Sequence, residues 1–460
     1  MKSNRSKAIV DRFRCPEEFV HLQIHRTNNA TRGFFRFGED VVCYGRCSYG
    51  IRCSVFNLNG NLTDVSSVMA GDRESASLPF DPDEVVDNLR YERYVATANS
   101  DNLRSGFVRA CRSVYYGLRP AMPSFLRAYA KRAYLVGWNK KTFPQWPVDT
   151  TVDVLLERLL ELSLTKQEVS SVPFIWFWPD GYKSCSVMTH DVETRAGLNF
   201  IDTLMELDQS AGVKASFQLI PEKRYSVSLT LVREVQSRGF EVNIQDLNHD
   251  GQLFDNQNDF LDRARKINDY SRSYGALGYR SGAMYRNLDW YDAFEFDYDM
   301  SVPNVAHLDP QQGGCCTVMP YFVGRILELP LTTVQDYFLF YILKDYSIDL
   351  WKRQIERIRQ QHGMMSFIVH PDYVIAQRNR AVFEGLLEYL ASLRDSRTVW
   401  VALPGEVNQW WRQRSKMRLI RDGSDWKVEG EGSERARIAY AGLLDGKLTY
   451  RIDPPHSAVA

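Results

Sequence analysis

The sequence predicts an α/β protein built on a (β/α) barrel of seven to eight units, flanked by β-rich segments. Three observations carry this expectation. From Val172 onward, apolar strand-like runs are followed repeatedly by amphipathic helical stretches. Those runs end near His190, Leu219, Ile244, Tyr279, Val302, Leu331, Val369 and Ala402. Polar and ionisable residues gather just after the ends, where the loops of such a barrel carry chemistry. The alternation argues for a parallel sheet, and about eight units argue for its closure.

Each segment has its own signature. Residues 1–81 read as a β-rich N-terminal segment, with "GFFRFGEDVVCYG" as strands and the Asn-Gly of "NLNGNLT" as a hairpin turn. Residues 82–167 read as a helical connector: "DPDEVVDNLRYERYV" opens with Asp caps and continues with apolar spacings of three and four. Within it, "FPQWPVD" is a proline-broken stretch packed by its aromatics. Residues 168–411 are the barrel. Its helices include "LNFIDTLMELDQSAG", "SLTLVREVQSRG" and "SIDLWKRQIERIRQQHG". The last two have glycine just past the helix, at the expected left-handed cap. Residues 412–460 form a small C-terminal β appendage with Asp-Gly turns. Trp290, Trp351, Trp410 and Trp411 read as packing residues rather than sugar platforms.

Composition narrows the function. The 460 residues are 44% hydrophobic and 25% charged, as in ordinary globular chains. Lys plus Arg and Asp plus Glu both number 57, for a formal net charge of zero. That argues against broad attraction to nucleic acid or to an anionic membrane. No run approaches the roughly 18 apolar residues of a membrane span. The N-terminus lacks an apolar core for a signal peptide. A cytoplasmic chain with reduced cysteines is therefore expected. Cys43, Cys47 and Cys53 with His21 and His25 lack the tight pairs of a zinc knuckle, so packed thiols are the better reading. Cys315 and Cys316 read the same way.

The rim residues are specific. "MTHDVET" places His190, Asp191 and Glu193 after the first strand. Gln245, Asp246, Asn248, His249 and Asp250 follow the third, and Arg280 the fourth. Ser301 and Asn304 follow the fifth, and Thr332, Thr333 and Gln335 the sixth, with Glu328 inside that strand. His370 and Asp372 follow the seventh, in "FIVHPDY". Alternation turns His190 away from Asp191. "DLNHDG" mimics the first half of an EF-hand loop, but its twelfth position is Gln257, so calcium is discounted. Asp191 and Glu193 also admit a plain role as caps of the first βα helix.

These motifs resemble the polysaccharide deacetylase superfamily, the NodB-homology group of carbohydrate esterases. Its first motif falls on Thr189 to Glu193, its His-x-x-x-His motif on Gln245 to His249, its Arg-x-Pro motif on Arg280 to Ala283, and its late-strand histidine on His370. The resemblance covers roughly residues 170–405. It implies a distorted (β/α) barrel that removes acetyl from an N-acetylated sugar with the aid of one divalent metal ion, Zn, Mn or similar. By correspondence Asp191 is the base, His370 the general acid, and Arg280 holds Asp191 ionised. Glu193 and His249 are metal ligands; a third comes from Gln245, His190 or Asp246. Asp246, Ser301 and Asp372 are the substrate-facing candidates.

The chain departs from the motifs at Gln245, where the family has a histidine, at Val192, and at the missing proline after Arg280. A neutral amide is a poor zinc partner. Two alternatives stay open beside the deacetylase reading. One is a catalytically inactive barrel that binds glycan or a partner protein. The other is a glycoside hydrolase using paired carboxylates such as Asp191 and Glu328.

Overall fold

A computed structural model describes residues 6–20, 22–24, 32–48, 53–54, 62–66, 77–98, 135, 137–423 and 425–453. The chain forms two compact units: residues 1–98, 150–183 and 409–460 make one, and residues 99–149 and 184–408 the other. Among the described residues no helix is long and apolar enough to cross a membrane. His21, His25, the Asn59-Gly60 turn and most of the connector between residues 99 and 134 lie outside the described residues.

The first unit packs short sheets against helices. Strands Ser171–Ile175, Ile438–Leu444 and Lys447–Ile452 form an antiparallel sheet, with Arg418–Asp422 and Asp425–Glu429 as a separate hairpin. Asp445 and Gly446 both take positive φ between the last two strands, as a tight hairpin turn requires. Helix Pro82–Arg90 starts as expected: the Asp81 carboxylate accepts the Asp83 N–H at 3.0 Å, with Pro82 in the first turn. The buried Arg414 guanidinium donates to the carbonyls of Arg12, Ile175 and Trp176. Cys43 and Cys47 are buried free thiols.

The second unit holds the large sheet. Its strands are β1 (Ser184–Val192), β2 (Ala215–Leu219), β3 (Glu241–Gln245), β4 (Gly278–Arg280), β5 (Tyr298–Asp299), β6 (Tyr321–Val323), β7 (Ile326–Glu328), β8 (Met364–Ile368) and β9 (Val399–Ala402). The spatial order is β6-β7-β5-β4-β3-β2-β1-β8, with β9 also paired to β1. Every pairing is parallel except β6 with β7. All nine residues of β1 are buried, as befits a strand covered on both faces.

Helices Ile201–Ser210, Leu229–Ser237, Gln257–Tyr274, Asp349–Gln360 and Gln377–Asp395 connect successive strands. The strands expected from sequence are therefore present, in a mixed α/β unit with a curled sheet. Two details differ. The antiparallel β6 is an addition, turned into β7 through Gly324 and Arg325. No ladder joins β7 to β8 among the described residues. Instead the Thr332 hydroxyl donates to the Met364 carbonyl at 2.8 Å and accepts the Ser366 N–H at 2.9 Å. Thr333 donates to the Ser366 carbonyl at 2.7 Å. Side-chain hydroxyls thus occupy backbone groups on the free edge of β8.

The glycine expected to cap helix Asp349–Gln360 does something else. His362 takes the left-handed conformation at φ 54°, and Gly363 does not. A Cβ on Gly363 would lie 2.5 Å from Val318 Cγ2 and 2.9 Å from Ile358 Cγ2. Glycine is needed there for close packing rather than for a positive φ. The neighbouring Cys315 and Cys316 are buried free thiols, as expected.

Candidate functional site

The C-terminal ends of β1, β3, β4 and β8 assemble the site. Register pairs Asp191 with Gln218, and Gln245 with Arg280. Alternation along β1 puts Thr189 and Asp191 on one face and His190 on the other. His190 accordingly faces away: its imidazole contacts the Val369 carbonyl and the buried Asp208 carboxylate, each at 2.9 Å. Burial raises the Asp208 pKa, and His190 opposes that shift.

Asp191 is buried between a cation and an amide. The fully buried Arg280 has Nη1 3.7 Å from Asp191 Oδ1, while Nη2 donates to the Thr189 hydroxyl at 2.9 Å. Gln245 donates from Nε2 to Asp191 Oδ2 at 3.1 Å. Its Oε1 is buried without a hydrogen-bond partner among the described residues. This orientation has a simple cause, because an amide oxygen at the same place would face the carboxylate.

Glu193 links a second group. It is 19% exposed, and its Oε1 lies 3.0 Å from His249 Nε2 and 3.8 Å from His370 Nε2. Asp372 anchors its turn, with Oδ2 accepting the Glu193 N–H at 3.3 Å and Oδ1 accepting the Thr194 hydroxyl. Helix Arg195–Asn199 is capped by the Thr194 side chain, so neither Asp191 nor Glu193 serves as that cap. His249 stands at φ 56°, with Arg224 donating to its carbonyl at 2.7 Å.

His370 is the most strongly held group. Its Nδ1 lies 2.7 Å from Asp336 Oδ1, and its backbone N–H donates to Asp336 Oδ2 at 2.8 Å. Burial alone would lower the imidazole pKa. The Asp336 carboxylate outweighs burial, with help from Glu193 and Asp191, and pushes it up to about 9. Burial also raises Asp336, against the pull of His370, so the pair holds its proton at neutral pH.

The other candidates lie apart from these contacts. Asp246 is buried at φ 54°, with Oδ1 turned back to the Leu247 N–H at 2.6 Å. A Cβ on Gly282 would sit 2.4 Å from its Oδ2. Ser301 donates to Asp299 at 2.6 Å and accepts the Ser281 N–H at 2.8 Å. Glu328 is 0% exposed and accepts the Val302 N–H at 3.0 Å. Burial, followed by the neighbouring Asp299, raises its pKa. In the Asp246 to Gly251 loop, Asp250 is engaged by Arg263 at 2.9 Å and by the Gln252 N–H at 3.0 Å.

Among the described residues, no set of three or more His, Cys, Asp or Glu side chains is placed to hold a metal ion. Glu193 and His249 supply two donors. Gln245 presents an N–H, His190 faces the other side, and Asp246 turns to its own backbone. This donor set does not fit zinc, which takes at least three protein ligands of imidazole, thiolate or carboxylate type. What the site does contain is a carboxylate beside a guanidinium, and an imidazole poised to donate a proton.

Sequence reasoning missed Asp336, although it stopped one residue short at Gln335. The signal was an aspartate in the polar run after β7. Its partner lies 34 residues away.

No family model and no curated protein matches this chain. The solved structures similar to it in part include the following three. One, assigned as a polysaccharide deacetylase from Mycobacterium smegmatis, is 16% identical with a TM-score of 0.42, covering 55% of this chain and 98% of its own. PuuE allantoinase is 12% identical with a TM-score of 0.41, covering 51% and 92%. A third, assigned as a polysaccharide deacetylase from Pseudomonas aeruginosa PAO1, is 12% identical with a TM-score of 0.41, covering 51% and 93%. The matched part is about half of this chain and nearly all of each of theirs.

Proposed function

We propose that the chain is a hydrolase of the polysaccharide deacetylase type, cleaving the amide C–N bond of an N-acylated sugar. The observation that carries this reading is the Asp336–His370 pair beside Glu193 at the strand ends. An imidazole with a pKa of about 9 is protonated at neutral pH and suits a general acid for a leaving amine. Asp336 holds Nδ1, which leaves Nε2 as the proton-delivering atom. Asp191, with Arg280 Nη1 3.7 Å from its Oδ1, is the base that takes a proton from the attacking water. Glu193 stands between His249 and His370, 3.0 Å from one and 3.8 Å from the other. No step is assigned to a metal, because the donor set does not fit one.

Glu328 takes no part. A carboxyl with no exposed surface, bonded to the backbone, offers no access to a sugar, so paired-carboxylate glycoside hydrolysis is not proposed.

Acetate release from N-acetylated sugar oligomers tests the reading. Asp191→Asn and His370→Gln should each abolish it, with a cooperative unfolding transition showing that each variant still folds. A fully active Asp191→Asn protein would sink the assignment. A second reading, a barrel that binds such sugars without cleaving them, is favoured by one observation. Gln245 donates to Asp191 and engages one oxygen of the proposed base. Sugar binding without acetate release would select it.

A further inference from the structure

Two thiols in the first unit stand in contact. Cys47 follows strand Val42–Arg46 and bridges to Phe80, with the Ser48 N–H donating to the Pro79 carbonyl at 2.7 Å. Cys53 precedes Ser54, whose N–H and carbonyl both bond to Phe34 of strand Arg32–Arg36, at 2.9 and 2.8 Å. Each backbone is thus pinned by its own contacts. Between them the Cys47 thiol donates to the Cys53 sulfur, and so does the Cys47 N–H. Glycine clears the space for this meeting. Gly33 pairs with Gly45 across the two strands, and a Cβ on Gly33 would lie 2.7 Å from Cys53 Cβ.

The pair is asymmetric. Cys47 is 3% exposed, while Cys53 is only half-buried, so a small reagent reaches it first. The hydrogen bond from the Cys47 thiol holds the Cys53 pKa below the ordinary thiol value, against the effect of burial. The same bond, then burial, pushes Cys47 up, and the Glu84 charge adds to this. Cys53 is therefore the thiolate-rich partner and Cys47 the protonated one. An accessible nucleophilic sulfur beside a second thiol suits two-electron oxidation. Cys43, the third cysteine of this region, is 0% exposed and burial pushes its pKa up, so it stays a packing residue.

We propose that Cys53 and Cys47 form an oxidant-reactive site that closes to a disulfide on meeting a hydroperoxide. The Cys53 thiolate attacks one peroxide oxygen and the O–O bond breaks. The sulfur becomes a sulfenic acid, and the departing hydroxide takes up the proton that Cys53 had released. The Cys47 sulfur then attacks the Cys53 sulfur and the S–O bond breaks. The second hydroxide leaves as water with the Cys47 proton. One hydrogen peroxide is reduced to two waters while two thiols are oxidised to one disulfide. The site uses no residue of the proposed hydrolase and stands independently of that reading.

Hydrogen peroxide treatment of the reduced full chain, followed by alkylation in denaturant and peptide mass mapping, tests the site. Cys47 and Cys53 should lose alkylation together and appear as one linked peptide that dithiothreitol splits. Cys43 should stay alkylated. In Cys47→Ser, Cys53 should persist as a sulfenic acid that dimedone captures. In Cys53→Ser, position 47 should yield no such adduct. Mapping of the unaltered chain decides by itself, whatever the stability of the variants. Cys47 and Cys53 both still alkylated after peroxide, or a bond from Cys53 to Cys43 instead, would overturn the site.

Discussion

Asp336 grips His370 twice, through the imidazole Nδ1 at 2.7 Å and through the backbone N–H at 2.8 Å. The double contact fixes both the direction of the ring and its charge. Its pKa of about 9 lies above the ordinary histidine value, so the interaction contributes stability that is complete below about pH 6.5. That stability is lost as pH rises through about 9. Asp336→Asn should therefore lower the His370 pKa by two units or so, seen in the proton NMR titration of its ring. The mutation should also bring the alkaline loss of acetate release down toward neutral pH. An unmoved titration would separate Asp336 from the proton.

Glu241 at the start of β3 gives a pH signature of the same sign in a more acidic window, at a place remote from the rim. Its carboxylate accepts from the Tyr298 hydroxyl at 2.8 Å and from the Gly405 N–H at 2.9 Å. Burial outweighs both bonds and raises the pKa from 4.5 to about 7. Between those values the unfolded chain releases a proton that the folded chain keeps. Stability therefore falls as pH rises through this window, by roughly 2 to 3 kcal/mol, and then levels off. Glu241→Gln should flatten that slope in urea titrations at pH 5 and 8. A slope unchanged in the variant would place its origin elsewhere.

The strands of the sheet were legible because buried parallel strands read as apolar runs. The short β6 was not, although "YFVGRILE" carries a two-residue Gly-Arg turn between apolar halves, a known hairpin form. The rim residues were legible as types at strand ends. Their pairings were not, because alternation tells which face a residue takes and not what crosses to meet it. His190 turned away as alternation required, toward Asp208 on a helix that the motif does not contain. Asp336 reaches His370 only after the loop following β7 folds over β8, and no sequence period encodes that.

Gly363 is where helix Asp349–Gln360 is drawn against the segment ahead of β6. The Val318 carbonyl accepts the Met364 N–H at 2.8 Å, which pins the backbone. A methyl on Gly363 would press on Val318 and Ile358 with no room to retreat. Gly363→Ala should cost about 1 to 3 kcal/mol by overpacking, measured by denaturant unfolding. Gly363→Ala in a Val318→Ala background should recover part of that loss. If the single variant is as stable as the parent, the close approach is not a constraint.

Gln245 decides whether the site can hold a metal. Its amide hydrogen bonds to Asp191, so the two donors Glu193 and His249 lack a third. An imidazole at position 245 would add a neutral nitrogen ligand on the same strand end, and zinc affinity should rise with the completed set. Elemental analysis of protein prepared without chelators should find the wild type well below one equivalent. Gln245→His should approach one, and the added metal should vanish in Gln245→His/His249→Ala. A wild type that carries a full equivalent, lost in His249→Ala alone, would falsify the two-donor reading. It would mean that a further ligand, from water or substrate, completes the shell that Glu193 and His249 begin.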